Sequence, residues 1–519
     1  MSNKRLGGAA AIVMSSIVVS RITGYIREMV TPNVFGLGSV GDAYSYAFRI
    51  TGLMYDLLVG GAIAAAIIPV LTGYISKKDE ENGWKAVGTF INIVIIVMSF
   101  VCVLGMFFAP QLIGGFSGFE CKEQIELTAD IARILFPSVA FLMLAGISNG
   151  VLNSYQRFAA AAYGPSIYNV GSILSLIFLS GKGGPTSVAY GIMASSLVYF
   201  LFQLSFAYKN LKHYKFKIHI RHSGFIKLIK LAIPSLMASS VVQINVIIAS
   251  FFATFFEPGS MIILNMADRT WQMPYGIFAQ GMGIAMLPTL SAYFSKEEFK
   301  EYKSTLIKCI KTVLLFTIPS AVGFIVLREN VIRTLFDITG FDSESIALAG
   351  RILMFFSIAL FSQSIVNVLN KAYYAAKDTI TPLITGVFTI GLNFLLSVIF
   401  IKATNIGVAG MALSYSLVSL VNASLLLMLL NRKMNGIYIG DLLKFLSKIF
   451  PASFVMGLAV YFINTAMPFA DSKIMQYIGL LGIITVGAAV YFAIVLLFKV
   501  EEASYAKNII LKKFGKKSD

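Results

Sequence analysis

An arginine inside a long apolar stretch has one ready use. Its planar guanidinium stays ionised and donates two parallel hydrogen bonds to a phosphate or carboxylate. This chain places four such arginines. Arg21 and Arg27, with Glu28, fall in the first apolar stretch. Asp42, Arg49 and Asp56 fall in the second, and Asn265, Asp268, Arg269 and Gln272 in the eighth. An ionisable residue at the centre of a bilayer costs at least about 2.5–3.5 kcal/mol, so it faces a cavity or a partner. Asp42, Arg49 and Asp56 are seven apart and share one helix face. The four residues around Asp268 are three and four apart, again on one face. If these faces line one cavity, its chemistry is recognition of an anionic headgroup such as a diphosphate. The competing reading makes Arg49 and Asp268 salt-bridged packing elements, with Arg27 and Asp42 snorkelling at span ends.

Nothing in the pattern supports catalysis. The three histidines, His213, His219 and His222, share one basic loop, and no Walker lysine motif, nucleophile elbow or HExxH occurs. Cys102, Cys121 and Cys309 form neither a CxxC nor a Cys/His pair, so no zinc site or disulfide framework is indicated. The expectation is a transporter, not an enzyme. It needs no cofactor and is driven by an ion gradient, the membrane potential or the substrate gradient.

The elements that must position these residues are membrane spans. The 519 residues are 57% hydrophobic and only 13% charged, against roughly 45–50% and 25% in soluble domains. Stretches of about 20 apolar residues, enough for one span, recur almost end to end. They lie near 8–32, 42–75, 86–112, 126–151, 159–181, 186–208, 225–255, 260–294, 304–327, 345–373, 380–402, 408–431, 441–465 and 475–498. The first lacks a signal-peptide cleavage pattern and is read as a retained helix. The net charge of +17 follows the loops between spans, which points to topology and not to nucleic acid. Lys77, Lys78 and Lys85, Arg157, the 209–230 loop, Lys296, Lys300 and Lys303, Lys371 and Lys377, and Arg432 and Lys433 mark one side. The alternate loops are lean or acidic. The rich side is therefore cytoplasmic, with both termini and the Lys507–Lys517 tail.

The chain also repeats itself. Pro69-Val-Leu-Thr-Gly-Tyr74 resembles Pro288-Thr-Leu-Ser-Ala-Tyr293. Val151-Leu-Asn153 and Pro165 match Val368-Leu-Asn370 and Pro382, and Ala47-Phe-Arg49 matches Ala267-Asp-Arg269. Three matches in order at similar offsets indicate two homologous six-helix halves. An even-numbered repeat keeps its orientation, so the halves are parallel, an architecture of alternating-access transporters. The expected divisions are 1–215, 216–435, a helix pair at 436–500 outside the repeat, and a basic tail at 501–519. Pro165, Pro234, Pro274 and Pro382 remove backbone donors and can bend helices.

Ser20-Arg21-Ile-Thr-Gly24-Tyr-Ile-Arg27-Glu28 and Gly41-Asp42-Ala43-Tyr44, with Ala47-Phe48-Arg49, resemble the opening of the MurJ (MviN) lipid II flippases. Ala267-Asp268-Arg269 with Gly283-Ile-Ala-Met-Leu-Pro288 resembles their eighth helix. Asn153-Ser-Tyr-Gln-Arg157 and Tyr374-Ala-Ala-Lys377-Asp378 resemble the starts of their fifth and eleventh. The resemblance implies an all-α polytopic inner-membrane protein of the MOP exporter superfamily. It would have about fourteen transmembrane helices, two six-helix lobes in a V, and two C-terminal helices forming a lipid-tail groove. It implies transport of lipid II, undecaprenyl-diphosphate carrying a sugar–peptide unit, from inner to outer leaflet for peptidoglycan synthesis.

Arg21, Arg27, Asp42, Arg49, Asp268 and Arg269 carry over as cavity residues. Membrane lipids are implied partners, and cell-wall synthesis proteins are candidate ones. Coupling to membrane potential or Na+ is also implied, with Asn245, Asp378 and Asn393 as sodium candidates. Tyr55, Asp56 and Gly60 depart from the family pattern, which has arginine, a basic residue and glutamate there. The second helix is correspondingly less cationic, and another undecaprenyl-linked oligosaccharide stays open as the substrate. A cation-coupled drug exporter would favour acidic cavities, and a non-transporting scaffold would not need buried arginines.

Overall fold

A backbone in hydrocarbon has no water to bond, so every N–H and C=O must be satisfied within the chain, and helices do this segment by segment. The computed structural model describes residues 3–55, 64–336, 342–466 and 472–503, and among them it is helical with no strand. The first half holds α1 (Asn3–Phe35), α2 (Ser39–Tyr55), α3 (Ala64–Ser76), α4 (Glu80–Phe107), α5 (Ala109–Phe116), α6 (Lys122–Ser154) and α7 (Phe158–Ala207). The second holds α8 (Ser223–Ala253), α9 (Ser260–Pro274), α10 (Gly281–Ser295), α11 (Phe299–Leu335), α12 (Ser343–Ala375), α13 (Ile380–Ala403) and α14 (Ala409–Lys433). Two further helices follow, α15 (Ile439–Ala466) and α16 (Lys473–Leu497). Among the described residues, ten helices are long and apolar enough to cross a membrane. Asp56, Gly60 and the Lys507–Lys517 tail lie outside the described residues.

At 50 residues, α7 would run about 75 Å if straight, more than twice the hydrocarbon thickness. It turns back on itself instead. Gly184 takes φ +63°, a left-handed conformation that favours glycine, and Pro185 follows. The two arms, expected from the sequence as spans 159–181 and 186–208, then pack antiparallel. A Cβ on Gly171 would sit 2.5 Å from Ser195 Oγ, and one on Gly191 would sit 2.4 Å from Ser175 Oγ. Small residues let two backbones approach where lipid offers no hydrophobic drive. In the second half α13 and α14 form the matching hairpin, with Ser414 Oγ donating to Asn393 Oδ1 at 2.8 Å.

Pro274 acts as its chemistry requires. The six residues after it, Tyr275–Gln280, form a π-helical stretch joining α9 to α10, one of the ways a helix absorbs a missing donor. Pro382, by contrast, stands in the first turn of α13, where a missing N–H costs nothing. The short α5 was not expected from the sequence; Pro110 starts it just after the α4 C-terminus.

Packing groups the chain into two compact units, the first running through Ile262 and the second from Ile263 onward. The first takes in α8, whose Gly224 lies against Tyr74 and Ala86. Within the second, α15 and α16 pack on α11. Tyr491 Oη donates to the Leu315 carbonyl at 2.7 Å, and Gly457 meets Val322. The outward side chains of this pair are large and apolar, among them Phe454 (64% exposed), Phe462 (66%) and Leu481 (61%). Such a surface suits lipid and not water.

Two carboxylates fix loops at helix ends. Asp42, 3% exposed, accepts hydrogen bonds from the backbone N–H of Gly259 at 2.7 Å and Ile262 at 2.9 Å. Its two carboxyl oxygens thus cap the N-terminus of α9. Nearby, Thr254 Oγ1 accepts from Gly118 N at 2.7 Å, and Tyr46 Oη donates to the Phe116 carbonyl. Asp378 caps α13, accepting from Ile380 N, Thr381 N and Thr381 Oγ1, and pairs with Lys433 Nζ at 2.6 Å. Partial burial works against the ionised form of Asp378. The bonds from Lys433 and Thr381 outweigh it and hold the carboxyl below its usual range.

Asp42→Asn replaces one acceptor oxygen by a donor facing a buried N–H. A buried donor left unsatisfied costs roughly 1–3 kcal/mol, so thermal unfolding in detergent should show a destabilisation of that order; an unchanged midpoint would mean the cap is unimportant. Asp378 has a depressed folded-state pKa. Its stabilisation is therefore present above the unfolded value, about pH 4, and is lost as pH falls through the folded one. Midpoints recorded from pH 7 to 3 should fall more steeply in the wild type than in Asp378→Asn. Parallel curves would remove the ion pair from the account.

Candidate functional site

The most developed polar cluster within the apolar helices of the first unit centres on Arg27. Its Nη2 donates to Glu28 Oε1 at 2.7 Å and its Nη1 to Asn169 Oδ1 at 3.2 Å. The side chain is 12% exposed and that of Glu28 20%. The guanidinium lies over the Phe48 ring, 4.7 Å from the centroid, with Tyr168 at 5.9 Å. Aromatic faces hold a cation without neutralising it. Three helices build this arrangement: α1 supplies the ion pair, α2 supplies Phe48, and α7 supplies Tyr168 and Asn169.

Asn169 ties α1 to α7. Its Nδ2 donates to the Ser20 carbonyl at 3.2 Å while its Oδ1 receives Arg27. Gly24 makes room for it, since a Cβ there would come within 3.3 Å of Asn169 Nδ2. Sequence reasoning missed Asn169, Tyr168 and Phe48. An asparagine four residues after Pro165 in an apolar run was the one available signal. Arg21 is exposed on α1 and Arg49 is half-buried on α2. Asp42 sits at the start of α2, engaged with the α9 N-terminus.

Asp268 and Arg269 belong to the second unit, on α9. Asp268 Oδ1 accepts from Trp271 Nε1 at 3.1 Å. Trp271 is buried and packs against Tyr275, Phe356 and Tyr415, with centroid separations of 5.5, 6.0 and 6.0 Å. The acidic group thus stands at the edge of an aromatic cluster. Asn367 Nδ2 donates to Tyr275 Oη at 3.1 Å, and Gly283 leaves space for the same asparagine. This ties the π-helical turn to α12.

Of the sodium candidates, Asp378 and Asn393 do not form one group. Asn245 is on α8 in the first unit. Asp378, in the second, is occupied by Lys433 and the α13 N-terminus. Asn393 lies on α13 bonded to Ser414, about 20 Å along the helix from Asp378. Among the described residues, no cluster of three His, Cys, Asp or Glu side chains is placed to hold a metal ion.

The sequence model of the family described as lipid II flippase MurJ matches residues 32–478. The probable lipid II flippase MurJ of Vibrio cholerae is 30% identical over 514 residues, covering 96% of this chain and 97% of the relative. That of Rhizobium tropici is 28% identical over 519 residues, 96% of each chain. A solved lipid II flippase MurJ in an inward closed conformation superposes with a TM-score of 0.78 at 27% identity, over 94% of this chain and 98% of that one. An inward-facing MATE multidrug transporter of the MOP superfamily shares the fold, with a TM-score of 0.69 at 15% identity over 82% of this chain and 98% of that one. With the match spanning the Arg49 and Asp268–Arg269 segments, and relatives aligned over nearly their whole length, the chain belongs to the lipid II flippase family MurJ.

Proposed function

We propose that this multi-pass membrane protein flips lipid II from inner to outer leaflet by alternating access, and that the Arg27 cluster recognises the diphosphate. The observation that supports the site is the Arg27–Glu28–Asn169 arrangement held over Phe48. A guanidinium has five N–H donors, and Glu28 and Asn169 engage two. The remaining donors suit phosphate oxygens. A diphosphate can take up those donors while Glu28 keeps its bond to Arg27, so that neither charge of the pair is left bare in a low-dielectric site. Arg21 and Arg49 supplement Arg27 in this proposal.

We infer that the membrane potential drives export. Moving an elementary charge across 100 mV is worth about 2.3 kcal/mol, and an anionic lipid moving outward from a negative interior gains it. The cytoplasmic face is the one bearing the 209–230 loop and both termini, on the strength of the Lys/Arg asymmetry.

The test is rescue of a bacterium depleted of its own lipid II flippase. The wild-type chain should restore growth and Arg27→Ala should not. Arg27→Lys, which keeps charge but loses the fork, should rescue in part. Because Arg27→Ala removes the ion pair with Glu28, the double variant Arg27→Ala/Glu28→Gln separates misfolding from lost recognition. It should accumulate at normal levels yet fail to rescue. Full rescue by it would remove Arg27 from the site, and failure of the wild type to rescue would overturn the substrate. Topology is checked by labelling a cysteine at position 217 with a membrane-impermeant reagent. Protection in intact cells and reaction after lysis are expected, and reaction in intact cells would invert the orientation.

A further inference from the structure

Near the N-terminal end of its apolar run, α4 carries two fully buried polar side chains, Thr89 and Asn92. Both hold the backbone of the loop between α7 and α8. Asn92 Nδ2 donates to the carbonyls of Lys215 at 3.2 Å and Lys217 at 3.0 Å, and its Oδ1 accepts from Tyr214 Oη at 2.6 Å. Thr89 Oγ1 accepts from His219 N at 3.0 Å. Trp84 packs edge-on against Tyr214, and amphipathic aromatics of this kind favour the headgroup level. The loop is thus fixed where α4 passes from its charged start, Glu80 to Lys85, into hydrocarbon.

What the fixed segment displays alternates in kind: Lys215, Phe216, Lys217, Ile218, His219, Ile220, Arg221. All of these are exposed, with Phe216 at 66%, Ile218 at 45% and Ile220 at 63%. No acidic residue occurs anywhere from 131 to 256. A cleft of about 470 Å³ opens between Lys85 and the stretch from Ile218 to His222. Fixing topology needs only charge. It needs neither a backbone pinned by two buried side chains nor three large apolar residues held outward.

We propose that residues 215–221 form a binding surface for anionic phospholipid. Phe216, Ile218 and Ile220 enter the acyl boundary. Lys215, Lys217 and Arg221 meet the phosphates, and the cleft beside Lys85 receives a headgroup. A basic residue near an anionic surface is worth about fivefold in affinity, and a backbone already fixed loses little freedom on binding. The cytoplasmic leaflet follows from the topology proposed above; the lipid preference itself is independent of it.

The test uses the full chain in nonionic detergent, with retention of phosphatidylglycerol and phosphatidylcholine read by native mass spectrometry. The wild type should retain phosphatidylglycerol preferentially. K215Q/K217Q/R221Q should weaken that retention on the order of 100-fold, and K300Q/K303Q should leave it unchanged. A fluorophore at I218C should shift to the blue in phosphatidylglycerol nanodiscs relative to phosphatidylcholine ones. Undiminished retention by the triple variant, an equal loss in K300Q/K303Q, or displacement of the lipid by an equal concentration of inorganic phosphate would each overturn the proposal.

Discussion

The structure depends first on the inability of hydrocarbon to accept a hydrogen bond. That constraint makes the described chain helical and decides where each polar group goes. Hydroxyls within the helices bond back to the preceding turn, as Thr317 does to Val313 and Ser357 to Leu353. Where Pro274 removes a donor, the helix widens into a π turn. Where loops meet at a helix end, Asp42 supplies the acceptor that the α9 N-terminus lacks. The polar atoms are few, and each carries a packing decision with it.

The same constraint gives the Arg27 cluster its significance. A guanidinium in an apolar helix must be compensated, and here a neighbouring carboxylate, an amide from α7 and two aromatic faces share that task. Glu28 and Asn169 engage two of the guanidinium's five donors. A diphosphate offers more acceptors than Glu28 and the same sign of charge. Membership of the lipid II flippase family decides against the drug-exporter reading that the shared MOP fold would otherwise allow.

Much of the fold was legible because the signals are local. Apolar run length marked the spans. The expected spans 159–181 and 186–208 fall on the two arms of α7, which hydrogen bonding leaves continuous across Gly183 and Gly184. The site was legible only by residue type. Arg27 announced itself as a charge in an apolar run, but Asn169, 142 positions away, could not be paired with it before the α1–α7 packing was known. Asp42 and Asp378 illustrate the converse. Both were singled out as ionisable, and both turn out to hold backbone N–H groups at helix starts, a use that spacing along the chain does not distinguish from ligand binding. Asn393 was read as a sodium candidate, and its side chain accepts a hydrogen bond from Ser414 across the α13–α14 hairpin.

The central claim is that Arg27 reads a diphosphate through its planar fork. Equilibrium binding of undecaprenyl diphosphate and undecaprenyl monophosphate to the purified chain tests it most directly, since the two share every apolar contact. The wild type should prefer the diphosphate by tenfold or more, the worth of one charged hydrogen bond, and Arg27→Lys should lose most of that preference while binding the monophosphate nearly as before. Equal affinity for the two lipids in the wild type, or a preference untouched in Arg27→Lys, would contradict it.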